Sequence, residues 1–152
     1  MKKELSIILP VFNEKDSLPI MVRLLNSTIK FKKEIIIVYD DQNDNSVEVA
    51  KELAAELPDI TLVHNNIGKG AKYAVEMGVR ISKYENILIT AVDEIFPIIS
   101  VENMLNKLIK ENLDLVSGTR YSKGGVRLGG SLIGAVLSKL ANKSFYFLTN
   151  IP

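Results

Sequence analysis

Continuous apolar runs alternate along this chain with segments whose apolar residues recur every three or four positions, and that alternation predicts strands separated by helices. Leu5-Ser6-Ile7-Ile8-Leu9 is the first run. Pro10-Val11-Phe12-Asn13-Glu14 follows it, and proline cannot donate to a sheet ladder while asparagine favours a turn, so a strand is expected over Leu5 to Pro10. Leu18, Met21, Val22 and Leu25 then stand at i, i+3, i+4 and i+7, an amphipathic helix with Ser17 as N-cap and Pro19 in its first turn. Glu34 to Tyr39 is a β-branched run without polar alternation, which requires cover on both faces. A polar turn from Asp40 to Ser46 leads to a helix marked by Val47, Ala50, Ala54 and Leu57 and closed by Pro58. Ile60 to Val63 makes a short strand, and His64-Asn65-Asn66-Ile67-Gly68-Lys69-Gly70 connects it to a helix with Ala74, Met77 and Ile81 on one side. Gly78 allows that helix a close approach.

The run from Ile87 to Val92 stops abruptly at Asp93 and Glu94. It reads as a central strand of a parallel sheet, and open α/β sheets place their ligands at the carboxyl ends of such strands. Ser100 is a suitable N-cap for a helix carrying Val101, Met104, Leu105 and Leu108, and Leu113 to Gly118 is expected as a fifth strand. Strands and helices alternating in this way predict an α/β fold, a mostly parallel, doubly wound sheet connected by right-handed crossovers.

After Gly118 the pattern changes. Residues 119–130 are rich in glycine and basic side chains, so one domain is expected over 1–130, and 131–152 is an apolar segment interrupted by Lys139 and Lys143. Each lysine would cost roughly 2.5–3.5 kcal/mol at the centre of a bilayer, so a helix lying at a membrane surface fits better than one crossing it. A helix packed on protein would show the same apolar content, and the two readings stay open.

Composition narrows the classes of function. The chain has 152 residues, 47% hydrophobic and 24% charged, which suits one globular domain with a real core. Nineteen basic and eighteen acidic side chains leave a net charge of +1, which gives no support to nucleic-acid binding. Without cysteine there is neither a disulfide framework nor a thiolate metal site, and the single histidine, His64, cannot form a histidine cluster. Glu4, Pro10 and Asn13 break up the amino-terminal apolar run too early for a secretory signal. A cytoplasmic location, with peripheral contact at the cytoplasmic membrane face, is expected.

In a parallel sheet the turns Pro10 to Glu14, Asp40 to Ser46, Asn65 to Gly70 and the Asp93 loop all fall on one edge. Carboxylates suit hydroxyls and base N–H groups, backbone amides near glycine suit phosphate, and lysine compensates diphosphate charge. Together they describe a nucleotide pocket. Singly they are weaker: Gly68-Lys69-Gly70 completes neither the dinucleotide fingerprint nor the phosphate-loop motif, Asp40 and Asp44 serve equally as turn formers, and His64 reads as an edge packing residue.

In this order and spacing the turns resemble a known family, the inverting nucleotide-sugar glycosyltransferases of family two, with the GT-A fold, and within it the dolichol-phosphate mannose synthase-like branch. The residues that carry the resemblance are Pro10-Val11-Phe12-Asn13-Glu14, Asp40 with Asp44, Gly68-Lys69-Gly70 with Gly78, Asp93 with Pro97, and Gly118-Thr119-Arg120-Tyr121 leading to Gly124-Gly125. The resemblance implies a three-layer α/β/α GT-A domain in which Pro10, Phe12, Glu14, Val38 and Asp40 hold the nucleoside. It implies that the D-x-D loop, here Ala91-Val92-Asp93, holds a divalent metal, Mg²⁺ or Mn²⁺, on the diphosphate. Ala91 replaces the first aspartate of that loop, which weakens the metal site, with Glu94 as a neighbouring substitute, and Tyr39 replaces the first member of an Asp-Asp pair.

The resemblance further implies transfer of a sugar from a GDP- or UDP-type nucleotide-diphosphate sugar to a polyprenyl phosphate. Asp93 and Arg120 are then the catalytic candidates, Lys69 a diphosphate contact, and Arg120 with Ser138 the acceptor-phosphate contacts. Gly134 stands where relatives carry a basic residue. Two other classes remain open from the residues: a non-catalytic nucleotide-binding module, and a membrane-interaction domain with a vestigial pocket. Oligomeric state is not legible.

Overall fold

A computed structural model describes residues 2–118 and 131–149. It resolves into two compact units, Met1–Gly118 and Thr119–Pro152. The first unit runs β1 (Glu4–Val11), α1 (Ser17–Thr28), β2 (Lys32–Tyr39), α2 (Ser46–Glu56), β3 (Ile60–His64), α3 (Ala71–Ile81), β4 (Ile87–Ile89), a 3₁₀ turn (Phe96–Ser100) and α4 (Val101–Lys110). In the second unit, the described element is α5 (Leu132–Thr149).

The four strands are parallel and ordered β3-β2-β1-β4. From β1 the chain steps twice in one direction, through α1 and α2, then crosses back beyond β1 through α3 to reach β4. A crossover of constant hand that reverses direction must use the opposite face of the sheet. The core divides accordingly. Leu5, Ile7, Leu9 and Val11 of β1 and Ile35 and Ile37 of β2 pack with Leu18, Met21, Val22 and Leu25 of α1, Ala50 and Leu53 of α2, and Val101 and Leu105 of α4. Ile8, Ile36 and Val38, from the alternate positions, meet Ala74, Met77 and Ile81 of α3. The result is a three-layer α/β/α arrangement.

Gly78 fixes how close α3 lies. A Cβ built there would come within 2.5 Å of Ile8 Cγ2, so the helix backbone rests directly on the β1 side chain. The ends of the same helix are held by carboxylates from one face of β2. Glu34, 3% exposed, accepts from the Lys83 backbone N at 2.6 Å and from Ser6 Oγ at 2.6 Å. The Ser6 hydroxyl in turn accepts from Tyr84 N at 3.1 Å. Six residues along, Asp40 Oδ2 accepts from Gly70 N at 2.6 Å, where the chain enters α3.

Several expectations need correcting. β1 continues past Pro10 to Val11, with Pro10 opposite Val38. The proline costs no ladder bond there: Thr90 N donates to Ile8 O, so Ile8 and Pro10 face the β4 side, and β4 has already ended at Ile89. The cap position of α1 is Asp16 instead of Ser17, whose hydroxyl donates to the Glu14 carboxylate. In α2 the buried apolar face is Val47, Ala50 and Leu53, with Ala54 only flanking the core. β4 is an edge strand of the described sheet and only three residues long, with Ile87 and Ile89 partly exposed. Among the described residues Leu113 to Gly118 forms no strand, and Leu115 is exposed. A short edge strand offers few ladder bonds, and local propensity in a stretch containing Asp114 and Ser117 does not make up the difference.

Gly78→Ala is expected to destabilise the fold by about 1–2 kcal/mol, because overpacking of Ile8 outweighs the gain in helix propensity of about 1 kcal/mol. Urea unfolding with an unchanged slope and a lower midpoint checks this.

Candidate functional site

Because all four strands are parallel, their carboxyl ends bring Pro10 to Glu14, Asp40 to Ser46, His64 to Gly70 and Thr90 to Glu94 to one edge of the sheet. The direction of the chain reverses between β1 and β4, and such a switch point opens a crevice between the loops on either side. The Asp93 loop lies on one side of that crevice and the Asp40 and Phe12 loops on the other.

The β1 and β2 loops are joined by side chains. Asn13 N donates to Asp44 Oδ1 and Oδ2 at 3.0 and 3.1 Å, Glu14 N to Ser46 Oγ at 2.7 Å, and Lys15 N to Asn45 Oδ1 at 3.3 Å. Three successive backbone N–H groups of one loop are therefore satisfied by three successive side chains of the next. Asn13 makes this possible by adopting φ 59°, a conformation that asparagine tolerates better than most residues. Asp44 also accepts from Ser46 N at 2.7 Å and is 6% exposed, so it acts as an internal tie between loops. Asp41 forms a local turn with Asn43 N at 2.9 Å. Phe12, next to the tie, is 71% exposed, a large apolar ring held out at the sheet edge.

Asp40 is engaged on both oxygens, by Asn65 Nδ2 at 2.6 Å on Oδ1 and by Gly70 N on Oδ2. Asn65 was not singled out by the sequence as a contact, since a buried carboxamide is invisible until its partners are placed. His64 Nε2 lies 3.2 Å from the Asp40 carbonyl oxygen and its ring centroid 5.2 Å from that of Tyr39. Tyr39, in place of an aspartate, packs against the α1 side of the core.

Among the remaining expected residues, Pro10 and Glu14 are half-buried, Lys69, Ala91, Asp93 and Glu94 are exposed, and Val38 and Val92 are in the core. The Asp93 turn is closed by Glu94 N donating to Ala91 O at 3.4 Å and Ile95 N to Asp93 O at 3.2 Å. Neither the Asp93 nor the Glu94 carboxylate has a side-chain or backbone partner among the described residues. Those residues include no group of three metal-ligating side chains. The hard oxygens of Asp93 and Glu94 fit an ion that draws most of its ligands from phosphate and water, as Mg²⁺ commonly does. Arg120 lies outside the described residues, and Ser138 sits on α5 in the other unit. The resolved pKa shifts fall at the opposite edge of the sheet, where the Glu4 hydrogen bond raises Lys32 and burial lowers Lys33.

Loops from four parallel strands meeting at a switch point, with an aromatic ring on one side and exposed carboxylates on the other, are the arrangement of an α/β domain of the GT-A type. Residues 6–149 match the family model described as Glycosyl transferase family 2, and the chain belongs to that family. It is 30% identical over 113 residues to the uncharacterized glycosyltransferase YibD of Escherichia coli K12, covering 74% of this chain and 32% of YibD. It is 28% identical over 123 residues to a dolichol-phosphate mannosyltransferase of Pyrococcus furiosus, covering 80% of this chain and 34% of that one. The chain thus spans about a third of the length of these relatives. Among solved structures, the mannosyltransferase PcManGT from Pyrobaculum calidifontis, in complex with GDP-Man and Mn²⁺, superposes with a TM-score of 0.62 at 22% identity, over 68% of this chain and 32% of its own. Staphylococcus aureus TarS 1-349 gives 0.54 at 14% identity over the same shares. These structural likenesses bear on the fold.

Asp44→Ala is expected to lower stability by about 2–3 kcal/mol, because it strands the Asn13 and Ser46 amides that the carboxylate satisfies. Asp44→Asn, which keeps one acceptor oxygen, is expected to lose less. Chemical denaturation of the two variants beside the parent chain provides the comparison.

Proposed function

We propose that this chain binds a nucleotide-diphosphate sugar at the carboxyl edge of its sheet and takes part in transfer of the sugar to a polyprenyl phosphate. The observation that carries the proposal is the convergence of Phe12, Glu14, Asp40, Lys69 and Asp93 on one edge of a sheet in a family 2 chain. One relative is a dolichol-phosphate mannosyltransferase, and a structural neighbour holds GDP-Man and Mn²⁺, which supports a donor of this chemical class. In this reading Phe12 offers a ring face to the base, Asp40 accepts from its N–H groups, and Pro10, Glu14 and Ala91 form the surrounding wall, with Val38 and Val92 in the core behind it.

A phosphomonoester has a second pKa near 6 and is already nucleophilic at neutral pH, so the reaction requires no strong general base. The acceptor oxygen attacks the anomeric carbon in line with the departing diphosphate, and what the protein supplies is orientation and charge compensation. Asp93, with Glu94 beside it, would hold a divalent ion, which supplies positive charge to the leaving diphosphate when bound. Lys69 adds a second positive charge, and Arg120 with Ser138 receives the acceptor phosphate.

The helix α5 supports contact with a membrane surface. Val136, Leu137, Leu140, Phe147 and Leu148 lie along one stripe and are exposed, with Lys139 and Lys143 to one side of it and the exposed rings of Phe145 and Tyr146 outside it. No described helix is long and apolar enough to cross a membrane. Such a stripe suits the boundary between headgroups and acyl chains.

Isothermal titration with GDP and with UDP is expected to give saturable binding that strengthens with Mn²⁺, and Asp93→Ala is expected to remove the metal-dependent part while leaving stability within about 0.5 kcal/mol. Absence of binding by folded protein rules the donor site out. Binding that ignores metal and survives Asp93→Ala points instead to a non-catalytic nucleotide-binding module, the reading favoured by Ala91 and Tyr39. In a separate measurement, the full chain is expected to co-sediment with anionic liposomes, and Phe147→Glu with Leu148→Glu to lose most of that association.

A further inference from the structure

Asn65 sits at the end of β3 and is 5% exposed. Its backbone N donates to Tyr39 O at 2.8 Å, which carries the β2–β3 pairing past the end of the strand. Its carboxamide Nδ2 donates to Asp40 Oδ1 at 2.6 Å and to the Gly68 carbonyl oxygen at 2.6 Å, and its Oδ1 accepts from Ile67 N at 3.1 Å. Both N–H bonds of the amide are used on acceptors, and its oxygen on a donor.

That pattern demands an amide. Two acceptors, a carboxylate oxygen and a carbonyl oxygen, must be served by neighbouring donors on one atom, while an N–H is served by an acceptor on the other. Aspartate would set a second carboxylate against Asp40 and the Gly68 carbonyl, serine offers one donor, and glutamine carries the same group one methylene too far. The other Asp40 oxygen is held by Gly70 N at 2.6 Å, so the plane of this carboxylate is fixed from both sides. Each oxygen retains lone-pair capacity for a further donor, in a direction set by these two bonds.

We propose that Asn65 is a positioning residue for nucleoside recognition. It orients the Asp40 carboxylate toward base or ribose donors and ties that orientation to the Gly68-Lys69-Gly70 turn. The proposal rests on the donor-site reading above. A preoriented carboxylate spares the ligand the cost of ordering it, so Asn65 raises affinity without touching the ligand.

A double-mutant cycle in the full chain tests this. GDP and UDP are titrated, with Mn²⁺ present, into the parent chain, Asn65→Ala, Asp40→Ala and the double variant, each confirmed as folded by circular dichroism. Asn65→Ala is expected to weaken binding by ~10-fold, the scale of one charge-assisted hydrogen bond. It is expected to have little further effect once Asp40 is alanine, because its route to the ligand is gone. A merely structural asparagine would cost the same in both backgrounds, and that result overturns the proposal, as does an Asp40→Ala variant that binds normally. If alanine at position 65 prevents folding, the same cycle is run with Asn65→Gln, which keeps an amide in the buried site. Failure of the parent chain to bind either nucleotide overturns the donor-site reading itself, a result distinct from additive losses in a chain that binds.

Discussion

The rest of this structure depends on one face of β2, where Glu34 and Asp40 stand at either end of the buried pair Ile36 and Val38. A parallel strand covered on both sides cannot place polar groups along its middle, so the connecting segments must find hydrogen-bond partners at its two ends. Glu34 meets the chain leaving α3 and Asp40 meets the chain entering it. Between them the helix lies against Ile8 through Gly78, with no room for a side chain. Position along the strand and distance from the sheet are thus set by different groups.

Much of this was legible in the sequence because the physics was local or periodic. Leu18, Met21, Val22 and Leu25 share one face of a helix by spacing alone, and all four are buried. The uninterrupted β-branched run of β2 announced a doubly covered strand, and Gly78 announced close packing. The doubly wound parallel sheet and the common edge followed from the alternation of elements, and the GT-A fold from the family resemblance of the turns. What failed was order and partnership. An apolar run looks alike in a central and an edge strand, so Ile87 to Val92 did not reveal that β4 is short and outermost among the described strands. Leu113 to Gly118 looked like a strand because propensity says nothing about whether a neighbour is there to pair with.

The site shows the same division. Asp40, Lys69 and Asp93 were expected at strand ends from the pattern, and Phe12 was singled out by the family resemblance, yet their surroundings were not legible. Asp44 and Asn65 gain their roles from partners about thirty residues distant in sequence, in loops whose approach only the assembled sheet creates. The edge therefore holds two kinds of carboxylate. Asp40 and Asp44 are committed to backbone and side-chain donors of the chain itself, whereas Asp93 and Glu94 have no such partners among the described residues. The exposed pair is the one proposed above to hold a cation.

The tie between Asn13 and Asp44 has a bearing on selectivity among anions. A run of successive backbone N–H groups in a loop attracts phosphate of any origin. Here the run is filled by a tethered carboxylate and its neighbours, which compete at an effective concentration that a dissolved ion must exceed to displace them. The amides of the loop that carries Phe12 are thereby already occupied by groups of the chain itself. An anion reaching that loop finds the backbone donors of Asn13, Glu14 and Lys15 filled, and only by breaking the tie between the two loops would it free them.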